Sequence, residues 1–320
     1  MDVSVVVTAY NEERFIGRCL SSLLSQDAGF ELIVVDDGST DDTSVVVEKF
    51  AAEHPGRVKL LRLERNVGVG NARNIGAARA SGRVVVFLDA DMEFPPDFIR
   101  KTVNPILKGE AVATCNSTEV IGNVDNPWVK VQGQRIRGVL QAGKTGFVRA
   151  IDRQFFLAAG GFDASKGFFD DATFHRKTGL EAAVVDVPLI HHNPDTAGEV
   201  FWRNRWIGRS VLKAHKRSEV LAMFAKRLLD LSPFIGFLLL VFPDLLLRVF
   251  GMLSLVFFIA VVKRHRVLPS HSWRESLRLR LFYVPAYRWV KALGFITGLV
   301  ESLSGRGWRP YVYQVFEKKG

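Results

Sequence analysis

Cysteine is scarce in this chain, since Cys19 and Cys115 are the only two among 320 residues. Two cysteines cannot build a disulfide framework, and nothing in their surroundings has the pattern of a zinc site. The N-terminal sequence Met1-Asp2-Val3-Ser4 lacks the basic and apolar segments of a secretory signal. We therefore expect the N-terminal part in the cytoplasm and Cys19, which lies in a helical pattern, in the core.

Several nucleotide-binding and hydrolase motifs are missing as well. Arg73 stands where a dinucleotide fingerprint beginning Gly68-Val69-Gly70 would have its third glycine. The chain has no Gly-Lys-Ser/Thr phosphate loop, no Gly-x-Ser-x-Gly elbow, no sequence repeat and no low-complexity stretch. Residues 36–43 do not have the ligand spacing of an EF-hand. The sequence therefore fits none of these motif classes.

Acidic residues are few in the last part of the chain. Residues 201–320 contain 21 Lys and Arg against 6 Asp and Glu, whereas residues 1–200 contain 22 against 27. The basic part is also the most apolar part, which favours an anionic membrane surface as its partner. A nucleic-acid surface would be basic without long apolar runs, so we expect no nucleic-acid partner.

The first half of the chain alternates between strand and helix patterns. Runs rich in β-branched residues at 3–8, 31–35, 58–63 and 84–88 predict strands. Helical patterns that begin at Asn11, at Thr43 (residues 43–52) and at about Gly70 (residues 70–80) follow the first three of these strands. Such alternation predicts an α/β fold with a mostly parallel sheet flanked by helices. Ligands of such sheets bind outside the carboxyl ends of the strands, where Thr8–Glu12, Asp36–Ser39 and Asp89–Asp91 all lie.

Asp89-Ala90-Asp91 directly follows an apolar strand pattern. Two carboxylates held this close are unfavourable when both are ionised, unless a positive charge lies nearby. Mg²⁺ or Mn²⁺ supplies such a charge and bridges carboxylates to the phosphates of a substrate. A pair of solvated surface acids is the alternative interpretation.

These segments occur together in a fixed order. The set consists of Val5-Val6-Val7-Thr8-Ala9-Tyr10-Asn11-Glu12-Glu13, Val34-Val35-Asp36-Asp37-Gly38-Ser39-Thr40-Asp41, Asn66–Asn74, Asp89-Ala90-Asp91, Gly146-Phe147-Val148-Arg149, Gly160-Gly161-Phe162-Asp163 and Phe169-Asp170-Asp171. Over about residues 3–210 it resembles the inverting family-2 glycosyltransferases, which have the Rossmann-like GT-A fold. The resemblance implies a catalytic domain over residues 1–215 and a basic, hydrophobic helical region over residues 216–320.

The resemblance also implies a donor and the residues that bind it. The donor would be a nucleoside diphosphate sugar, linked to UDP or GDP. Thr8, Ala9, Tyr10 and Glu12 match the loop that holds the nucleoside, and Asp37 would accept a hydrogen bond from the base. Tyr10 would pack on the base or ribose, unless it is a core aromatic residue.

A divalent metal, Mg²⁺ or Mn²⁺, is the implied cofactor. Asp91 is expected to coordinate it directly, while Asp89 would contact the ribose or act through a water on the metal. Arg73 is a candidate for the donor's nucleotide or phosphates, with a surface ion pair as the alternative. A histidine completes the metal shell in some GT-A enzymes, and His191 stands near that position, although a lone histidine is more often structural.

Asp170 and Asp171 stand where the family has its acidic base motif. Asp171 would take the proton of an attacking acceptor hydroxyl, and Asp170 would raise the pKa of the less solvated acid. Helix N-capping is the alternative. Because a phosphate acceptor needs no base, the pair favours a hydroxyl on a lipid-linked or cell-envelope glycan over a polyprenyl (dolichyl) phosphate. A non-catalytic, membrane-tethered nucleotide-sugar or partner-binding module is the rival of another class.

Residues 228–262 are almost entirely apolar and have basic residues on both sides. A helix of that length would reach roughly 52 Å, well beyond the ~30 Å hydrocarbon core. The pattern therefore predicts a hairpin turning at Pro243-Asp244 with both ends toward the cytoplasm, or alternatively a re-entrant pair or a soluble helical subdomain. Residues 281–300 are predicted to form an interfacial amphipathic helix.

Overall fold

Runs of β-branched residues form the centre of the fold. The computed structural model describes residues 1–132, 144–240, 245–265, 267 and 272–305. Four parallel strands, β1 (Val3–Ala9), β2 (Glu31–Asp36), β3 (Val58–Arg62) and β4 (Val84–Asp89), lie in the order β3-β2-β1-β4. Every residue of β1 and β2 is buried, which is why these strands are mostly apolar.

The rest of the sheet is mixed, which corrects the prediction of a mostly parallel sheet. It contains β5 (Met92–Glu93), β6 (Ala113–Ile121), β7 (Lys144–Thr145), β8 (Ala150–Asp152) and β9 (Ala182–His191). Among the described residues, the nine-stranded sheet continues from β4 through β8, β6 and β9 to β5, and β7 pairs with β9. β8 is antiparallel to both neighbours, whereas β6 and β9 are parallel. Regular strand-helix alternation, which favours parallel pairing, stops after β4.

Helices cover both faces of the sheet. They are α1 (Ile16–Leu24), α2 (Thr43–Glu53), α3 (Val69–Arg79), α4 (Phe98–Leu107), α6 (Arg153–Ala158) and α7 (Asp170–Thr178), while α5 (Pro127–Lys130) belongs to the second unit described below. Val5 and Val7 join one core cluster with residues of α1 and α4. Val6 and Phe87 join the opposite cluster with residues of α3, α6 and α7. This alternation along β1 is what a two-sided sheet requires.

The described residues form two compact units. The first contains residues 1–122 and 144–192, and the second contains residues 123–132 and 193–305. The second unit is helical, with α5, α8 (Ala197–Ala214), α9 (Arg217–Leu240), α10 (Leu245–Arg264), α11 (Trp273–Arg278), a π-helical turn (Leu279–Tyr283) and α12 (Val284–Leu303). The predicted boundary at residue 215, between a catalytic and a membrane-associating region, stays a prediction.

Glycines let α8 and α12 pack at very short range. A Cβ on Gly298 would overlap the carbonyl oxygen of Arg205, and one on Gly208 would overlap that of Phe295. Glu301 adds ion pairs with Arg205 at 2.6 Å and with Arg209 at 3.1 Å. The helix predicted at 281–300 is therefore present, but it has a buried, glycine-lined face.

Residues 228–240 lie in α9 and residues 245–262 lie in α10, and the two helices pack against each other. The predicted turning point at Pro243-Asp244 lies outside the described residues. Within the part of the chain that the structure describes, no helix combines the length and apolarity needed to cross a membrane.

Candidate active site

The carboxyl ends of β1, β2 and β4 meet at one edge of the sheet. The register places Thr8 opposite Asp89 and Ala9 opposite Asp36. Thr8 Oγ1 donates to Asp89 Oδ1 at 3.5 Å, and the N–H of Asp37 donates to the carbonyl oxygen of Ala9 at 2.8 Å. Parallel pairing therefore brings together the three segments that the sequence analysis placed at strand ends.

The loop after β1 is tied to the turn after β2. Asn11 has a left-handed φ of 56°, its N–H donates to Ser39 Oγ at 3.0 Å, and its Oδ1 accepts from the N–H of Thr40 at 2.8 Å. The N–H of Glu12 donates to Thr43 Oγ1 at 2.8 Å. These bonds hold the loop so that the Tyr10 side chain is exposed. The alternative that Tyr10 is a core aromatic residue is therefore wrong.

Asp37 anchors the segment that leads into α3. Its side chain is buried, and its two oxygens accept from the N–H groups of Val67 at 2.7 Å and Gly68 at 2.9 Å. Burial raises the pKa of Asp37 to about 7, although these two donors favour the ionised form. The sequence analysis expected Asp37 to accept from a nucleotide base and did not foresee this anchoring contact.

Arg73 and Asp89 form an ion pair at the end of β4. Arg73 Nη2 lies 2.8 Å from Asp89 Oδ1, and the guanidinium lies 5.7 Å from the ring centre of Phe162. Burial raises the pKa of Asp89, but the guanidinium groups of Arg73 and Arg149 outweigh it and hold the pKa well below its ordinary value. Arg73 is thus buried and paired with Asp89, and the alternative of an ion pair on the surface is wrong.

A second chain of charged groups links Asp91 to the interior of the sheet. His191 Nε2 lies 3.1 Å from Asp91 Oδ2, and His191 Nδ1 lies 3.2 Å from Glu119 Oε2. The other oxygen of Glu119 accepts from Arg149 Nη2 at 3.2 Å. Burial lowers the pKa of His191, but the carboxylates of Asp91 and Glu119 outweigh it and raise the pKa to about 9. We call Asp91, His191, Glu119 and Arg149 the charge chain.

The charge chain fits a divalent cation at Asp91. Asp91 Oδ1 is buried and has no hydrogen-bond partner among the described residues, and such an oxygen suits a cation. No group of three or more His, Cys, Asp or Glu side chains in the described ranges has the arrangement of a complete metal site. Mg²⁺ needs none, because it is commonly held by one or two carboxylates together with substrate phosphates.

His192 differs from its neighbour His191. His192 Nε2 lies 2.7 Å from Glu93 Oε1, and the ring stacks on Phe15 with 4.7 Å between ring centres. A Cβ on Gly122 would approach the His192 ring at 2.6 Å, so the ring is closely packed. His192 meets Asp91 only through the backbone, where its N–H donates to the Asp91 carbonyl oxygen at 2.9 Å, so of these two rings it is that of His191 that lies against the Asp91 carboxylate.

Asp170 and Asp171 begin α7, directly after a 3₁₀ turn at Ala164–Phe169. Acids in the first turn of a helix are favoured by the helix dipole. Their side chains lie outside the described part of the structure, so their predicted role as the acid-base pair stays a prediction.

The family model for glycosyl transferase family 2 matches residues 4–169, just over half of the chain. The chain belongs to glycosyl transferase family 2. An uncharacterized glycosyltransferase of Nostoc sp. is 33% identical over 126 residues, which cover 39% of each chain. Undecaprenyl-phosphate 4-deoxy-4-formamido-L-arabinose transferase of Sodalis glossinidius is 31% identical over 208 residues, which cover 59% of each chain. The chain thus spans between about two fifths and three fifths of these two relatives.

A solved mannosyltransferase from Pyrobaculum calidifontis, in complex with GDP-Man and Mn²⁺, has the same fold. Its TM-score is 0.53 at 20% identity, with 95% of this chain and 88% of that chain covered. This likeness shows an α/β fold of the GT-A type for the present glycosyltransferase, as the motifs predicted.

Two members of the charge chain, Glu119 and Arg149, were not predicted from the sequence to be site residues of this glycosyltransferase. Glu119 lies in β6, whose residues Thr114, Asn116, Ser117 and Glu119 are polar yet buried. Arg149 appeared only as part of a family motif. The signal that could have identified Glu119 is a charged residue that lies among other polar residues within a strand. A charge buried in a sheet requires partners, so such a residue indicates a network of charged groups.

Proposed function

We propose that this glycosyltransferase is metal-dependent and inverting, and that it moves a single sugar from a nucleoside diphosphate sugar to a hydroxyl acceptor. The acceptor would be a lipid-linked or cell-envelope glycan at the cytoplasmic face of a membrane. The observation that carries the proposal is Asp91 Oδ1, which has no hydrogen-bond partner within the described ranges and lies at the carboxyl edge of β4, beside the Arg73–Asp89 ion pair.

The donor would lie along the edge formed by the ends of β1, β2 and β4. The exposed Tyr10 is available to stack on the base or ribose, and the loop holding it is fixed by Asn11 and Glu12. Asp37 retains lone pairs for a base N–H, because Oδ1 accepts from the N–H of Val67 and Oδ2 from that of Gly68, and a carboxylate oxygen can accept more than one such bond. UDP and GDP both present such a donor group, so both are candidate nucleotides.

Asp91 and His191 would hold the divalent cation, with Asp89 at its margin. The ion would offset the negative charge that develops on the departing nucleoside diphosphate. Neighbouring side chains would hold these residues in position for the cation, since Arg73 forms an ion pair with Asp89 and Glu119 forms a hydrogen bond with His191. The fold relative solved with GDP-Man and Mn²⁺ is consistent with this assignment.

Asp171, with Asp170 beside it, would accept the proton of the attacking hydroxyl.

A second candidate function is transfer to a polyprenyl phosphate, which the undecaprenyl-phosphate transferase relative favours. A phosphate acceptor is already an anion and needs no base. Asp171→Asn should therefore abolish turnover with a hydroxyl acceptor and reduce it little with a phosphate acceptor, as measured by nucleotide release.

Association with a membrane is proposed for the second unit. Leu245, Leu246, Phe250, Met252 and Leu253 of α10 are all more than half exposed. Residues 201–320 also have 15 more basic than acidic residues, a charge that anionic lipids attract. Co-sedimentation with vesicles containing anionic lipid, and none with neutral vesicles of the same size, is the expected result.

Calorimetry with UDP and GDP, with and without Mn²⁺, tests the metal site. We expect Mn²⁺ to tighten nucleotide binding at least tenfold in the native protein, and Asp91→Asn to remove that gain while leaving metal-free binding unchanged. Asp97→Asn is the matched control, because Asp97 directly precedes α4 and forms an ion pair with Lys101 at 2.6 Å. If Mn²⁺ still tightens nucleotide binding in Asp91→Asn, the metal site at Asp91 is refuted. A separate assay follows hydrolysis of the nucleotide sugar with Mn²⁺: hydrolysis would show an enzyme, whereas inactivity with all common donors would favour a non-catalytic binding module.

A further inference from the structure

Glu119 is a carboxylate in the interior of the sheet, where a charge must have a structural or functional reason. Its side chain is 2% exposed, and it lies on β6. A buried carboxylate is costly unless partners compensate its charge. Two of its partners, Arg149 and His191, come from distant parts of the chain.

Arg149 fixes the charge state and the position of Glu119. Its guanidinium donates to the carbonyl oxygen of Phe87 at 3.3 Å, to Asn116 Oδ1 at 3.3 Å and to Glu119 Oε1 at 3.2 Å. Arginine stays protonated in proteins, so it keeps Glu119 ionised and therefore an acceptor only. The remaining oxygen, Oε2, faces His191.

An acceptor at Nδ1 decides how His191 is presented to Asp91. Glu119 Oε2 can only accept, so it holds a proton on His191 Nδ1 at 3.2 Å. Without a cation, Nε2–H would donate to Asp91, whereas a cation bound at Asp91 would take the place of that proton and face the Nε2 lone pair. Nε2 is the atom 3.1 Å from Asp91 Oδ2. Metal-binding histidines are commonly held in this way by a carboxylate on the other nitrogen.

The strand geometry supports a dedicated arrangement. The register of β6 against β9 shifts between Asn116 and Thr118, where β9 advances from Val185 to Pro188, so the extra residue of this bulge lies on β9, ahead of His191. Bulges re-aim side chains and are common beside active sites. Beyond the bulge, Ile121 pairs with His191, which leaves Glu119 two residues earlier on the neighbouring strand.

We propose that Glu119, held by Arg149, is a positioning residue that orients His191 Nε2 toward a divalent cation at Asp91. The inference rests on the proposed function, because it assumes the cation site at Asp91 and His191. In this proposal Glu119 contacts neither the cation nor the donor. Its effect must therefore pass through His191.

Glu119→Gln tests the orientation with almost no change in size. If its carbonyl oxygen keeps accepting from Arg149, its amide donates to His191 Nδ1 and places the imidazole proton on Nε2, where a cation would have to bind. Mn²⁺ affinity should fall about 10- to 100-fold, the usual effect of removing such a partner. The affinity for UDP and GDP without metal should not change.

Glu93→Gln is the matched control. Glu93 pairs with the neighbouring His192 at 2.7 Å, but that ring stacks on Phe15. The same substitution at this neighbouring pair should leave Mn²⁺ affinity unchanged. An equal loss in both variants would mean general damage to β9 and would overturn the proposal.

A double-mutant cycle on the full-length protein separates positioning from structure. Mn²⁺ binding, followed by electron paramagnetic resonance with saturating UDP and with saturating GDP, is measured for Glu119→Gln, His191→Ala and the double variant. If Glu119 acts through His191, the double variant should bind Mn²⁺ no more weakly than His191→Ala alone. Additive losses would overturn the proposal, as would full affinity in Glu119→Gln.

The Mn²⁺ affinities of His191→Ala and Asp91→Asn distinguish failure of this proposal from failure of the cation site on which it rests. Unchanged Mn²⁺ affinity in both His191→Ala and Asp91→Asn would overturn the proposed cation site. Loss in Asp91→Asn alone would keep that site and overturn only the role of His191 and Glu119. Should Glu119→Gln not fold, Glu119→Asp keeps the charge for Arg149 and withdraws the carboxylate by one methylene. It should lose Mn²⁺ affinity as well, and unchanged affinity there would overturn the proposal.

Discussion

Replacing Asp37 with asparagine removes a buried carboxylate that titrates near neutral pH. Asp37 is 3% exposed, and its oxygens accept from the N–H groups of Val67 and Gly68. Asparagine has nearly the same shape, but its amide must place an N–H against one of these donors. The variant therefore loses one hydrogen bond at every pH, which costs about 1–3 kcal/mol.

The pH dependence has a defined sign and size. An unfolded chain releases this proton near pH 3.9, whereas burial raises the pKa of Asp37 in the folded protein to about 7. Between these values the folded state keeps a proton that the unfolded state has lost, so stability falls as pH rises. One proton is worth about 1.4 kcal/mol per pH unit, which gives at most about 4 kcal/mol over this window.

The assay must report on the first unit. All six tryptophans lie at position 128 or between positions 202 and 308, so their fluorescence does not follow that unit. Hydrogen exchange of β1 and β2 amides, measured by mass spectrometry between pH 4 and 8 and corrected for intrinsic rates, gives its opening free energy. The advantage of the native protein over Asp37→Asn should shrink as pH rises to 7 and then stay constant.

Asp42→Asn serves as the control for that experiment, because Asp42 is exposed beside the same turn and its side chain makes no capping bond. It should leave the pH profile unchanged. A constant difference between the native protein and Asp37→Asn across the whole range would refute the reasoning. It would mean that the two backbone donors keep Asp37 ionised in spite of its burial.

Two further predictions concern the second unit, where tryptophan fluorescence in urea is a suitable probe. Gly298→Ala should destabilise it by about 1–3 kcal/mol, because the new methyl group overlaps the backbone of Arg205, whereas Gly198→Ala meets nothing closer than 3.9 Å and should not destabilise it. Burial, together with Arg227, lowers the pKa of Lys291 to about 8, below that of an unfolded chain. Stability should therefore rise between pH 8 and 10, and Lys291→Met should abolish that rise. Equal effects of the two glycine variants, or an unchanged rise in Lys291→Met, would contradict these expectations.

The central strands and helices were predictable because their buried positions are occupied by apolar residues at strand or helix spacing. β1, β2 and β4 are buried almost throughout, so each contains a run of β-branched and other apolar residues. The helix predicted at 43–52 is observed at Thr43–Glu53, and that predicted at 70–80 is observed at Val69–Arg79. The first helix begins at Ile16 rather than near Asn11, because bonds to Ser39 and Thr40 hold Asn11 in the loop.

β6 was not predictable from its residues. Thr114, Asn116, Ser117 and Glu119 read as a polar segment, and only their partners explain why they are buried. Thr114 Oγ1, for example, donates to the carbonyl oxygen of Thr102 at 2.6 Å. These partners are distant in sequence, so no local pattern records them. Long-range pairing is also what distinguishes His191 from His192, which are identical in type and adjacent in the chain.

The structure changes the argument for a cation at Asp89-Ala90-Asp91. The sequence suggested that two close carboxylates need an external positive charge, but each acid already has a partner. Asp89 pairs with Arg73 at 2.8 Å, and Asp91 lies 3.1 Å from a His191 whose pKa is raised to about 9. Repulsion between the two acids therefore does not by itself require a metal.

The need for a cation arises when a diphosphate arrives at this edge. Two added negative charges exceed what Arg73 and His191 offset, since both already face a carboxylate. Asp91 Oδ1, buried and without a partner among the described residues, is the oxygen left for a cation shared with phosphates. We therefore expect Mn²⁺ to bind weakly to the nucleotide-free protein and tightly with UDP or GDP. Equal Mn²⁺ affinity with and without nucleotide would show that the acids alone form the site.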